Sequence, residues 1–389
     1  MVCNFLIFHA FGNEILRIIV NQTNEFGFPI EEHNVTTSDG YILTLHRIPY
    51  GRNQTYTPDR QVILHQHGLF DSSDSMVSHG PDLSPAYYLA NAGYDVWLAN
   101  QRGNKYAFDH VTLNTTQPEF WNFSLSEALY DSQANIDYIR NYTNSNTIAF
   151  SAHSFGTGGF FAAASRQNDW YRDRLSIFIA LAPVTQTYHE QDPIFVYFTN
   201  SRIIFVTLRR MGIVSLFPSG FLSNPLFQGA CRLFPFLCDL TELFGSEADP
   251  EINDDESVQR YYTAFPSSSS LKNMEHDSQL FLSRRFQDFD YGTARNMIGY
   301  GTPNPPAYNV TNINGIPVAL IHGTTDEVSE PQDVQWLIDQ LGDNVVFTQT
   351  YNYGHLSFFT GINMAYLDDI DNLLRQYPPT HNDEVGESP

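Results

Sequence analysis

The five residues Ala152-His153-Ser154-Phe155-Gly156 constrain this chain more than any other stretch. They follow a β-type run, Thr147-Ile148-Ala149-Phe150-Ser151, and precede a small-residue helical pattern from Gly158 to Ala164. A serine at such a junction sits on a sharp strand-to-helix turn, with its hydroxyl lifted above the strand ends. The turn admits only small residues two before and two after the serine, and Ala152 and Gly156 meet that requirement. The following helix aims free N–H groups and a positive dipole end at any negative charge that develops there. The pattern predicts a nucleophilic serine beside a site for an oxyanion.

A serine hydroxyl needs a base, and the base needs an acid to orient it. On this kind of turn the partners follow in the order Ser, Asp or Glu, His, each just past the end of a late strand. Asp326 lies in Gly323-Thr324-Thr325-Asp326, directly after the buried run Pro317 to His322. Glu327 and Glu330 come later in that loop, and Asp333 and Asp339 fall on a helical pattern from Pro331 to Leu341. His355, in Tyr353-Gly354-His355-Leu356, follows the last strand-like run, Val345 to Thr348. Its downstream rival His381 lies in a polar, acidic tail, 378–389, expected to be disordered. Ser154, Asp326 and His355 are the expected catalytic residues. The expected oxyanion donors are the amides of Phe155 and of Leu69, the latter in His67-Gly68-Leu69 after the strand Val62 to His65. His65 and His67 have the spacing of a metal pair, but no third ligand is evident and no metal is expected. No cofactor is required by this chemistry.

The remaining pattern alternates strands and helices, which predicts a mostly parallel sheet covered on both faces. Val35-Thr36-Thr37 and Tyr41 to Ile48 flank Ser38-Asp39-Gly40 as a hairpin. Tyr94 to Ala99 and Leu175 to Leu181 are further strands, and Leu125 to Tyr142 has helical period. From Val184 to Tyr308 the rhythm stops and Phe, Leu, Pro and Ser dominate. The expected organisation is an α/β-hydrolase core, 1–183 and 309–377, interrupted by a cap or lid, 184–308. A greasy cap would desolvate an ester with long acyl chains.

A net charge of -23 excludes phosphate neutralisation, so no nucleic-acid partner is expected. The greasiest region, Ile203 to Leu243, is broken by arginines and prolines, so no transmembrane segment is expected. Sequons at Asn21, Asn34, Asn53, Asn114, Asn122, Asn141 and Asn309 favour secretion. The apolar start from Val2 to Phe8 is either a clipped signal peptide or a helix. Cys231 and Cys238 are a disulfide or two reduced thiols by spacing alone.

With these residues placed, the chain resembles the acid lipases, the gastric and lysosomal group. The likeness is carried by Gly27-Phe28-Pro29, Asp39-Gly40-Tyr41-Ile42-Leu43, Gln66-His67-Gly68-Leu69 and Ala92 to Leu98 with Arg102-Gly103-Asn104. Phe120 to Ser124, Phe286 to Gly292, Pro306 to Thr311 and Gly354-His355-Leu356 continue it. The resemblance implies a secreted or lysosomal glycoprotein that hydrolyses neutral lipid esters, triacylglycerol or sterol ester, at a lipid-droplet or emulsion interface. It implies an acidic pH optimum and a cap disulfide. It also passes the triad roles to Ser154, Asp326 and His355. Where the family has glycine and glutamine in the elbow, this chain has Ala152 and Phe155. Phe155 keeps open a catalytically weak lipid-binding member of the fold, and an acyltransferase would use the same triad.

Overall fold

The computed structural model describes residues 18–191, 196, 202–217 and 249–381. Cys3, Cys231 and Cys238, the apolar start, most of 192–248 and the tail beyond His381 lie outside the described residues.

A nine-stranded sheet organises the chain. Its main strands are β1 (Glu31–Thr36), β2 (Tyr41–Ile48), β3 (Val62–Gln66), β4 (Asp95–Ala99), β5 (Ile148–His153), β6 (Leu175–Leu181), β7 (Val318–Gly323) and β8 (Val345–Tyr351). They lie in the order β1-β2-β4-β3-β5-β6-β7-β8, with the short strand Asp109–His110 paired to β2. β1 and β4 run antiparallel to β2, and every pairing from β4 to β8 is parallel. β3, β4, β5 and β7 are buried along their whole length, as continuous apolar strands covered on both faces should be. Edge strand β8 alternates only weakly and ends in Thr348-Gln349-Thr350-Tyr351. Its last residues carry no apolar signal, so the sequence places its end at Thr348. Main-chain pairing with β7 carries it on to Tyr351.

Helices cover both faces. On one lie Pro85–Ala92 and Tyr366–Gln376, in the apolar cluster of Ile63, Val96, Ile177, Ile179, Ala319 and Ile321. On the other lie Ala128–Thr143, Phe155–Arg166 and Pro331–Leu341, with Leu64, Phe150, Phe178 and Leu320. Alternate residues of one strand thus feed opposite cores. Ala128–Thr143 buries Ser132, Asn135, Ile136, Ile139 and Thr143, one face at helical period. Its entry is set by the reciprocal capping box of Ser124 and Glu127. Pro331 opens its helix at the position where a missing N–H costs nothing.

The described part of 184–308 contains helices Arg202–Arg210, Asp255–Ala264, Leu271–Ser283 and Thr293–Gly299. A strap, Phe265 to Ser270, ties this region to the core. The Ser267 N–H donates to the Phe70 carbonyl at 2.6 Å, and its Oγ accepts from the Lys105 N–H at 3.0 Å. The Ser268 and Ser270 hydroxyls donate to the carbonyls of Gly103 and Phe123, both at 2.5 Å. Helix Arg202–Arg210 buries Phe205 and Leu208 but leaves Ile203 and Val206 exposed. No helix among the described residues is long and apolar enough to cross a membrane. Pro378 to His381, read from sequence as tail, is instead held: the Thr380 carbonyl accepts from the N–H groups of Asn146 and Thr147.

Candidate active site

β5 ends at His153, and Ser154 stands between it and helix Phe155–Arg166 with φ 54 and ψ -129. A side chain at positive φ is strained by ~1–3 kcal/mol and persists only where its surroundings hold it. Here the Ser154 N–H donates to the Leu181 carbonyl of β6 at 3.0 Å. Its own carbonyl accepts from the N–H and hydroxyl of Thr157 at 2.8 and 2.6 Å. Two glycines make room. A Cβ on Gly156 would lie 2.6 Å from the His67 carbonyl, and one on Gly68 would lie 2.9 Å from the Ser154 Cβ. Ala152, by contrast, is buried beside Gln66 and Ala180, and its methyl is accommodated.

The three residues singled out in the sequence meet in one row. The Ser154 hydroxyl lies 2.7 Å from His355 Nε2, and His355 Nδ1 lies 3.0 and 2.9 Å from the two carboxylate oxygens of Asp326. A carboxylate only accepts, so the proton sits on Nδ1 and the Nε2 lone pair faces the serine. Asp326 also accepts the N–H groups of Val328 and Ser329 at 3.0 and 2.8 Å. Ser329 in turn donates to the Pro183 carbonyl at 2.7 Å, anchoring the acid loop to the end of β6. The acid and base loops touch at Gly323, where a Cβ would fall 2.1 Å from the Tyr353 carbonyl. All three are covered: Ser154 and His355 are 8% exposed and Asp326 is 2% exposed.

The rival carboxylates are engaged elsewhere or face water. Glu327 is exposed. Glu330 accepts from Gln191, and Asp333 accepts from the main-chain N–H and ring of His189 at 2.8 and 2.9 Å. Asp339 accepts from Gln335.

Phe155 opens its helix, so its N–H has no partner within that helix. Its ring is 5% exposed and turned inward. With Gln66, Arg102, Asp131 and Asn273 it lines a small, partly open pocket. On the opposite loop, His67 donates from Nδ1 to the Gly68 carbonyl at 2.8 Å and accepts at Nε2 from the Gln101 N–H and Asn104 amide. The Gly68 carbonyl and the Leu69 N–H belong to one planar peptide. His67 thus fixes the plane that carries the expected second oxyanion donor. Burial pushes the ring down to about 4 and keeps it neutral.

His65 bonds Ser151 at 2.9 Å and burial lowers it to about 3. Among the described residues no group of three or more His, Cys, Asp or Glu is arranged to hold a metal ion. Sequence reasoning gave no role to His153, whose Nε2 reaches the main chain of His355. The asparagines of every sequon named above are exposed.

An elbow serine in line with a histidine and a carboxylate, on this strand order, defines the class of α/β-hydrolases. The family model described as "alpha/beta hydrolase fold" matches residues 61–362, and "Partial alpha/beta-hydrolase lipase region" matches 19–80. Human (Homo sapiens) gastric triacylglycerol lipase is 34% identical over 379 residues, 95% of this chain and 93% of that protein. The lysosomal acid lipase/cholesteryl ester hydrolase of Macaca fascicularis is 33% identical over 360 residues, 90% and 89% of the two chains. A soluble variant of monoglyceride lipase from Saccharomyces cerevisiae, solved with a substrate analog, superposes with a TM-score of 0.53. It shares 14% identity over 92% of this chain and 96% of that one, a likeness of fold alone. The chain belongs to the acid lipase family of serine ester hydrolases, among whose members are gastric and lysosomal lipases.

Proposed function

We propose that this protein hydrolyses neutral lipid esters, triacylglycerols or sterol esters, through an acyl-enzyme on Ser154. The observation that carries the proposal is the strained serine in hydrogen-bonding reach of His355, itself oriented by a buried Asp326. His355 takes the hydroxyl proton as the oxygen attacks the ester carbonyl. The amides of Phe155 and Leu69 receive the oxyanion, and His355 returns the proton to the departing alcohol. Water then repeats the sequence to release the fatty acid. Asp326 keeps the imidazole in the required tautomer and stabilises the imidazolium that forms.

The substrate class rests on the names of the relatives and on a net charge with no affinity for phosphate polymers. We assign 184–308 as the cap over a core formed by 1–183 and 309–377, with the emulsion or droplet surface as the place of work. The test is turnover of long-chain triacylglycerol and cholesteryl ester by Ser154→Ala. A fall of about 10⁴-fold or more is expected, and near-normal turnover would refute the assignment.

A further inference from the structure

His153 is not used by that chemistry, yet it is built into the row. Its ring is buried and stands 4.8 Å, centroid to centroid, from the ring of His355 and 4.8 Å from that of Phe359. Nε2 lies 2.8 Å from the main-chain oxygen of His355, 202 residues away in sequence. A carbonyl only accepts, so Nε2 carries the proton. Nδ1 has no hydrogen-bond partner among the described residues and lies beside Gly68. A second proton there would be a buried, unpaired charge next to a base that must itself become an imidazolium. Burial and the neighbouring His355 both hold the ring well below its ordinary pKa, so it stays neutral.

The two ends of this bond differ in rigidity of support. His153 closes β5, which is fully buried between β3 and β6. His355 hangs on a loop that leaves the edge strand β8. We propose, on the serine-hydrolase reading above, that His153 is a positioning residue that tethers the main chain of His355 to the centre of the sheet and so keeps Nε2 in line with the Ser154 hydroxyl. A base displaced by about 1 Å costs up to ~10²-fold in rate with little effect on substrate binding.

The test compares His153→Phe, which keeps a ring against Phe358 and Phe359 but loses the donor, with His153→Gln, which restores an N–H. The Phe variant is expected to lose about 10- to 100-fold in kcat at a KM within about twofold of wild type. The Gln variant is expected to recover most of that loss, with melting temperatures unchanged across the pair. A wild-type kcat in the Phe variant, or a Gln variant no better than Phe, overturns the tether. Should the Phe variant not fold, imidazole nitrogen shifts of the intact protein at pH 5 decide: a neutral Nε2–H His153 supports the tether, and an Nδ1–H or doubly protonated ring overturns it. Ser154→Ala measured alongside separates the two readings. Its retention of turnover condemns the active-site assignment itself, whereas an inactive Ser154→Ala beside a fully active His153→Phe condemns only the tether.

Discussion

Strands β3, β4, β5 and β7 are buried along their whole length between two apolar clusters, whereas the strap from Phe265 to Ser270 adds serine hydroxyls and main-chain groups to the apolar contact of Phe265. Beyond the strap, Asp288, in the region proposed as the cap, accepts from Arg166, Ser126 and Tyr308. Apolar burial is non-directional and grows with area. It suits a sheet that must hold three loops in fixed relation. Hydrogen bonds contribute ~1 kcal/mol each and depend on direction. Here they add direction to the apolar contacts that Phe265, Leu271 and Met274 make in the same cluster. Ser154 and Asp326 hang from the first kind of structure, at the ends of β5 and β7, and His355 from the end of the edge strand β8 beside them.

The sharpest way to break this contrast is a change at the sheet end that preserves shape. Asp326→Asn keeps the volume but no longer dictates the Nδ1–H tautomer of His355. It should lower kcat by about 10³- to 10⁴-fold with little change in KM or melting temperature. A smaller loss would mean that the main-chain contacts of the loop orient the base without the carboxylate.

The region proposed as the cap should answer differently. Asp288→Asn weakens a buried, charge-assisted contact with Arg166 and should cost about 1–3 kcal/mol of stability. Thermal unfolding measures the cost, and turnover of a short soluble ester should stay within about twofold. A fall in kcat matching that of Asp326→Asn would show that cap and core share one catalytic structure.

The two regions also differ in what sequence shows of them. β3, β5 and β7 read as apolar runs, Ser154 and Asp326 are visible because they follow two of them, and His355 because it follows the shorter strand-like run Val345 to Thr348. The strap has no such trace. Ser267 to Ser270 read as a polar loop, since a hydroxyl that grips a distant carbonyl looks like any surface serine. The bond from His153 to the His355 main chain is hidden for the same reason: its acceptor is a carbonyl that every residue possesses. Phe155 stands out as a departure in the elbow, yet only the fold shows it buried and lining a pocket with Gln66, Arg102 and Asn273.

A subtler comparison lies within the core, between its buried carboxyls and its buried imidazoles. Burial pushes Asp71, just past the oxyanion loop, up to about 7. The unfolded chain releases that proton near pH 4, so between about 4 and 7 the folded state holds the extra proton and stability falls as pH rises. His65, His67 and His276, lowered by burial to about 3, 4 and 4, act in the opposite sense. The unfolded chain takes up their protons first, and stability falls as pH drops below about 6.5. Asp71 therefore offsets part of what the histidines lose on acidification. Asp71→Asn cannot ionise. Its melting temperature should match wild type near pH 4 and rise above it progressively up to pH 7. A constant difference across that range would show that Asp71 does not titrate as its burial requires.

Reaction with a long-chain organophosphonate, read by peptide mass, asks most directly whether the elbow serine is the one that attacks esters. A single adduct is expected on the peptide containing Ser154, abolished by Ser154→Ala and slowed by Asp326→Asn. Folded protein that takes up no label, or takes it up on another residue while Ser154→Ala labels as wild type does, would contradict the proposed chemistry.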